Sequence, residues 1–243
     1  MDLDTIYFKK TKVEDFSFNE SVSLVFDDMV NRSVPLYKEF QNLIVQYIVK
    51  HLVKDTNIYD LGCATGTTLI LLNNLLNKTN TKFYGIDNSE SMLFKANEKV
   101  KEMAKSPQTI HFIQEDLTTI NSFIDPGCFI LNLTLQFIRP MEREDLLKKL
   151  YNSLQQNGFV ILYEKLLEED SLFTRNYIDL YYDYKQQKNY SKLEISRKRE
   201  ELENVLIPFT EIENKNLLKK VGFSKVSTIS KYLNFGVIIA IKL

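Results

Sequence analysis

Two short stretches of this chain carry residue types that could grip a small polar ligand. In Tyr59-Asp60-Leu61-Gly62-Cys63-Ala64-Thr65-Gly66 an apolar run gives way to a turn that opens a helical pattern. Gly62 and Gly66 permit a sharp reversal and let a ligand approach the main chain. The second stretch, Tyr84-Gly85-Ile86-Asp87-Asn88, places Asp87 21 positions after Gly66. A carboxylate about 20 residues beyond such a turn is positioned to accept both hydroxyls of a ribose. Asp87 could instead cap the next helix, but Ser89, ahead of Glu90, suits that role better. A nicotinamide dinucleotide would need a compact G-x-G-x-x-G, which Cys63-Ala64-Thr65 does not supply.

The elements that must position these residues follow from periodicity. Short β-branched and aromatic runs lie at 57–61, 82–86, 110–114, 129–133 and 159–163, with a last pair at 225–230 and 235–242. Helical spacing separates the first five, as in Thr68, Leu71, Leu72, Leu75, Leu76 and in Leu146, Leu147, Leu150, Leu154. Alternation of this kind predicts right-handed crossovers and a mostly parallel sheet. The short connection 231–234 permits an antiparallel hairpin at the end. This plan resembles the Rossmann-like α/β fold of class I methyltransferases, a seven-stranded sheet closed by an antiparallel strand. The resemblance implies S-adenosylmethionine as the ligand. It also puts Gln114-Glu115-Asp116-Leu117 beside the adenine, with Asp116 accepting from the exocyclic amine and the Leu117 N–H donating to the ring.

The reading is of one domain over 1–243, with a helical cap at 1–54 and a helical insertion at 164–208. The cap's helix is expected from about Val34, with Leu43, Ile44, Tyr47 and Ile48 as its apolar stripe. The insertion overhangs the carboxyl ends of the strands, where open α/β sheets bind ligands. The two segments are expected to build a lid and any subunit interface. With a net charge of −1, the chain lacks the basic excess of a protein that holds a phosphate backbone, so direct tight nucleic-acid binding is not expected. Cys63 and Cys128 have no metal-ligand spacing and read as free thiols. No membrane span and no signal peptide are apparent, so a cytoplasmic location is expected. His51 and His111 read as structural residues.

The fourth strand ends Leu131-Asn132-Leu133-Thr134-Leu135-Gln136-Phe137. It lacks the Pro-Pro-aromatic motif that holds a nucleophilic nitrogen in many amino-group methyltransferases. From about Phe16 onward the chain is similar to the carboxy-S-adenosylmethionine synthase family of bacterial wobble-uridine modification. The similarity rests on Phe26 through Tyr37, the glycine loop, the Asp87 strand and the Leu131–Phe137 stretch. It extends to Tyr190-Ser191-Lys192-Leu193-Glu194-Ile195-Ser196-Arg197-Lys198-Arg199, Leu202-Glu203-Asn204-Val205 and Tyr232 through Gly236. One departure is Ala64-Thr65-Gly66, where the family usually has Ser-Leu-Gly.

The resemblance implies a reaction. Prephenate supplies a carboxyl group to the methyl carbon of S-adenosylmethionine, and phenylpyruvate and carboxy-S-adenosylmethionine result. The sulfonium acidifies its own methyl group, and the base comes from the decarboxylating substrate. A partner tRNA carboxymethyltransferase then uses the product. The resemblance further implies cofactor contacts from Tyr37, Gly62, Cys63, Ala64, Asp87, Asn88, Asp116, Leu117, Asn132 and Arg199, with no metal. Arg199 would bind the new carboxylate, delivered from the neighbouring subunit of a homodimer. On charge alone, Arg197, Lys198 and Arg199 would read as a solvated face balanced by Glu200, Glu201 and Glu203. The competing readings are a conventional small-molecule methyltransferase and a non-catalytic S-adenosylmethionine-binding subunit.

Overall fold

Apolar runs that alternate between two helical layers set the architecture of the computed structural model, which describes residues 3–6, 15–76 and 79–243. Strands β1 (Asn57–Leu61), β2 (Phe83–Asp87), β3 (Ile110–Gln114), β4 (Pro126–Asn132) and β5 (Phe159–Leu167) are mutually parallel. Strands β7 (Lys225–Tyr232) and β8 (Phe235–Ile241) form the expected hairpin. The order is β3-β2-β1-β4-β5-β8-β7, so β8 is inserted between β5 and β7 and runs antiparallel to both. Strand order reverses between β1 and β4. That switch point opens a crevice beyond the carboxyl ends of the strands.

Successive residues of each central strand feed opposite faces of the sheet. Cys128 and Ile130 of β4 pack on one face with Ile44 and Ile48 of α2 (Tyr37–His51) and Leu69 and Leu72 of α3 (Thr67–Leu75). Phe129 and Leu131 pack on the other with Leu146, Leu147 and Leu150 of α5 (Pro140–Ser153) and Leu218 of α8 (Glu211–Lys220). Helix α4 (Glu90–Met103) follows β2 and is capped by Ser89, which accepts from the Met92 N–H and leaves Asp87 to other duties. No helix among the described residues is long and apolar enough to cross a membrane.

Several boundaries differ from the expectation. Ahead of α2 lies a further helix, α1 (Glu20–Ser33), capped by Asn19. Its buried face (Val22, Val25, Met29, Val30) is broken by Asp27, Asp28 and Asn31, which bond locally or reach across to other elements, and this blurs its helical period. The insertion does not begin at Glu164, which is still inside β5. Helix α6 (Ser171–Gln187) starts after the Asp170 cap, and α7 (Lys192–Leu202) starts in a Ser191–Glu194 capping box. A two-residue strand, β6 (Phe209–Thr210), pairs in parallel with the β5 extension and adds an eighth strand to the expected seven. Two residues are too short for any periodicity to show.

Candidate active site

The strand ends open into one cavity of about 590 Å³, roofed by α1, the start of α2, and α6–α7. Tyr37, Gly62, Ala64, Asp87, Asn88, Asp116, Leu117, Asn132 and Arg199 all line it. Cys63 alone of the expected contacts does not. Its side chain is buried behind the loop, where a Cβ added to Gly85 would lie 2.9 Å from its sulfur. Burial pushes the Cys63 thiol well up, so it stays protonated. Neither His51 nor His111 lines the cavity.

The glycine loop is held by main-chain geometry. Gly62 has φ +74°, and a Cβ there would meet Thr134 at 2.6 Å. The Gly62 and Cys63 N–H groups both donate to the Ile86 carbonyl, at 2.7 and 3.1 Å. Asp87 Oδ2 accepts from the Ala64 N–H at 2.9 Å, and its Oδ1 accepts from the Ser89 N–H at 2.9 Å. Asp87 therefore staples the first turn to the second, while its remaining lone pairs face the cavity. The cap reinforces this from above. Asp27 of α1 accepts from Thr65 Oγ1 at 2.7 Å, Thr67 Oγ1 at 3.2 Å and Lys99 Nζ at 2.6 Å.

At the β1 and β4 exits, Asn132 lies beside the Tyr37 hydroxyl, and its own Oδ1 is buried with no partner. Asp60 Oδ1, nearby, is likewise buried and unpartnered, and burial beside Asp87 raises that carboxyl to about 7. Asn132 lines the cavity, so its orphaned acceptor suits a donor group on a ligand, whereas Asp60 lies outside the cavity lining. At the β3 exit, Asp116 Oδ1 accepts from the Thr118 N–H at 2.8 Å and from Thr118 Oγ1 at 2.7 Å. The Leu117 N–H has no hydrogen-bond partner among the described residues. The exits of β4, β2 and β3 thus each present an open polar partner to the cavity, at Asn132, Asp87 and Leu117.

Sequence reasoning missed two sets of residues. Glu164 is 2% exposed, and its Oε1 accepts from the Thr134 and Leu135 N–H groups at 3.2 and 2.8 Å. Its Oε2 accepts from the Gln136 N–H at 3.0 Å, so one carboxylate fixes the whole turn after β4. Burial raises that carboxyl to about 8 against those donors and Arg143. The second set is cationic: Lys165, Lys185 and Lys198 line the cavity from three different elements. Lys198 corrects the solvated-face reading, because it is 8% exposed and turned inward. Arg199 next to it is exposed on the rim, bordering both this cavity and an adjacent cleft of about 370 Å³. The one available signal was a Glu-Lys pair directly after five fully apolar or aromatic residues of β5, at the ligand-binding end of a strand.

The two stretches lying outside the generic plan meet over this cavity. Arg32 stacks on the Tyr190 ring at 4.1 Å and donates to the Lys188 and Asn189 carbonyls at 2.9 and 3.2 Å. Tyr190 donates to Asp4 at 2.5 Å, and Lys198 donates to Ser33 Oγ at 3.0 Å.

The family described as Methyltransferase domain matches residues 58–158. A carboxy-S-adenosyl-L-methionine synthase of Desulfotalea psychrophila is 45% identical over 239 residues, which is 98% of this chain and 97% of that protein. One of Methylococcus capsulatus is 40% identical over 243 residues, covering both chains completely. Among solved structures, an O-methyltransferase family protein from Burkholderia thailandensis superimposes with a TM-score of 0.67 at 13% identity, over 97% of this chain and 66% of that one. The YcgJ protein from Bacillus subtilis gives 0.63 at 11% identity, over 83% and 97%. At such identities the structural likeness establishes the fold alone. The near full-length relatives establish more: this is an S-adenosylmethionine-binding enzyme, and the chain belongs to the carboxy-S-adenosyl-L-methionine synthase family.

Proposed function

We propose that this enzyme converts S-adenosylmethionine and prephenate to carboxy-S-adenosylmethionine and phenylpyruvate. The product then serves a tRNA carboxymethyltransferase that modifies wobble uridine in the cytoplasm. One observation carries the reading: the cavity continues from the nucleoside-binding strand ends into a cation-lined compartment with Arg199 on its rim. A methyl donor alone leaves such a compartment unemployed. An anionic carboxyl donor and a carboxylated product both employ it.

In this reading Asp87 takes the ribose hydroxyls, and Asp116 with the Leu117 N–H takes the adenine. Asn88 flanks the nucleoside. The loop backbone at Gly62, Cys63 and Ala64, with Asn132 and Tyr37, holds the amino-acid end. Arg199 meets the carboxylate that the methyl carbon gains, and its planar fork matches that group bidentately. The balance needs no protein base. Prephenate loses its ring carboxylate and ring hydroxyl as it becomes aromatic, the carboxyl carbon bonds to the methyl carbon, and the methyl proton leaves with the hydroxyl as water. The proposal includes a homodimer, with Arg199 serving the partner's cavity as the resemblance implies.

Purified enzyme supplied with S-adenosylmethionine and prephenate should release phenylpyruvate and the carboxylated nucleoside in equal amounts. S-adenosylhomocysteine formed at a comparable rate, with tRNA or a small acceptor, would instead mark a conventional methyltransferase.

A further inference from the structure

The cationic compartment has an internal imbalance. Lys165 leaves the end of β5, Lys185 comes from α6 and Lys198 from α7, and all three line the cavity. Lys185 and Lys198 are only 6% and 8% exposed. Lys198 has Ser33 Oγ at 3.0 Å and the charges of Asp4 and Glu201 near it. Lys165 and Lys185 have no carboxylate to meet among the described residues. Their ammonium groups lie 5.4 and 4.3 Å from the centroid of the Tyr181 ring. Burial drives the Lys165 ammonium down to about 8, and burial with its cationic neighbours drives Lys185 well below its ordinary range. Desolvated cations that repel one another cost stability unless an anion joins them. S-adenosylmethionine does not supply that anion here, because it brings a sulfonium and its amino-acid end lies at Gly62 and Asn132.

We infer that Lys165, Lys185 and Lys198 form the seat for one carboxylate of the second substrate, with the Tyr181 ring against its apolar body. The inference rests on the function proposed above and deepens it. Chemistry decides which carboxylate sits there. A carboxylate that leaves must shed its negative charge in the transition state, and cations gripping it would oppose that loss. The seated group is therefore the carboxylate retained by the departing 2-oxo acid. The carboxylate to be transferred stays outside the seat, toward the sulfonium methyl. These lysines are positioning residues, and the predicted second substrate is a dicarboxylate whose two acid groups are held unequally.

The test uses the full chain carrying Lys185→Met, with Lys165→Met as a second variant and Lys185→Arg as the rescue. For Lys185→Met we expect KM for prephenate to rise at least tenfold with kcat within a few-fold of the parent. Inhibition by phenylpyruvate, which keeps only the retained carboxylate, should weaken by the same factor. Binding of S-adenosylmethionine should not weaken, and the ligand-free melting temperature should stay level or rise, since a buried repulsive cation is gone. Lys185→Arg should recover most of the KM. Unchanged KM and unchanged phenylpyruvate inhibition in a folded, active variant overturn the seat while leaving the proposed function intact. A wild-type enzyme that ignores prephenate yet binds phenylpyruvate through Lys185 sinks the proposed function and keeps the seat. A kcat that falls with KM fixed also overturns it, because the lysine would then act on the transition state rather than seat the substrate.

Discussion

Asp87→Ala should damage two things at once, and the geometry says how much of each. The carboxylate offers about four lone-pair sites. Two are spent on the Ala64 and Ser89 N–H groups, both at 2.9 Å. Hydrogen bonds to a charged acceptor contribute about 1.5–3 kcal/mol each. Asp87 is partly exposed, so water recovers some of that loss. A ligand-free destabilisation of about 3 kcal/mol follows, or about 6–12 °C in melting temperature for a chain of this size. The two remaining sites are left for the ribose, and with the same discount losing them should weaken S-adenosylmethionine binding by about 3 kcal/mol, roughly 150-fold in Kd. Asp87→Asn keeps one acceptor oxygen but turns an amide N–H toward one of the two backbone donors, so its loss should be intermediate. Scanning calorimetry without ligand and titration calorimetry with S-adenosylmethionine separate the two effects. An unchanged Kd in a folded variant refutes the ribose assignment. An unchanged melting temperature refutes the stapling role.

Arg199→Ala should keep ordinary S-adenosylmethionine binding and lose about 2–3 kcal/mol of affinity for the carboxylated form, because the two ligands differ by the one group it meets. Mixing Arg199→Ala subunits with Asp87→Ala subunits should restore part of the activity if the arginine acts across a two-fold interface, and no recovery despite proven exchange places it in its own chain's cavity. Gly62→Ala sets a side chain at φ +74° with its Cβ 2.6 Å from Thr134, so it should cost about 1–2 kcal/mol for the conformation alone and weaken the cofactor at least tenfold by displacing the β4 turn; titration calorimetry checks this. Ligand-free stability should pass through a minimum near neutral pH. Asp60 and Glu164, raised to about 7 and about 8, hold protons that the unfolded chain has already released, so stability falls as pH rises from the ordinary carboxylate range toward 7. Lys165 and Lys198, lowered to about 8, and Lys185, lowered further by burial and its cationic neighbours, are already neutral where the unfolded chain is still charged, so stability climbs again toward the ordinary lysine range. Melting temperatures that rise from pH 5 to 7 or fall from pH 8 to 10 contradict these assignments.

The nucleoside end of the site was legible because its chemistry sits at strand ends with fixed spacing. Gly62, Asp87 and Asp116 each follow a run whose period identifies a strand, and the fold brings all three to one edge. The same reading could not show that Asp87 also holds the Ala64 N–H, since that contact depends on how β1 and β2 stand side by side. The cationic end was hidden for a related reason. Lys185 and Lys198 stand among charged and tyrosine-rich helical turns whose composition suggests a solvated face, and only the packing of α6 and α7 over the sheet edge turns them inward. Helix α1 is hard to read in the sequence because its apolar side packs with Met92 of α4 and Ala64 of the glycine loop rather than against the sheet. Glu164 reads by its charge as the start of the insertion, yet the β5 ladder carries on through it to Leu167, fed by pairing with β8 and β6.

The most direct test of the central claim is the intact mass of the ligand released from the purified enzyme after incubation with S-adenosylmethionine and prephenate. A carboxy-S-adenosyl-L-methionine synthase must release a nucleoside heavier than S-adenosylmethionine by the mass of carbon dioxide, and label in the ring carboxyl of prephenate must appear in it. Release of S-adenosylmethionine alone, or of S-adenosylhomocysteine, would contradict the account.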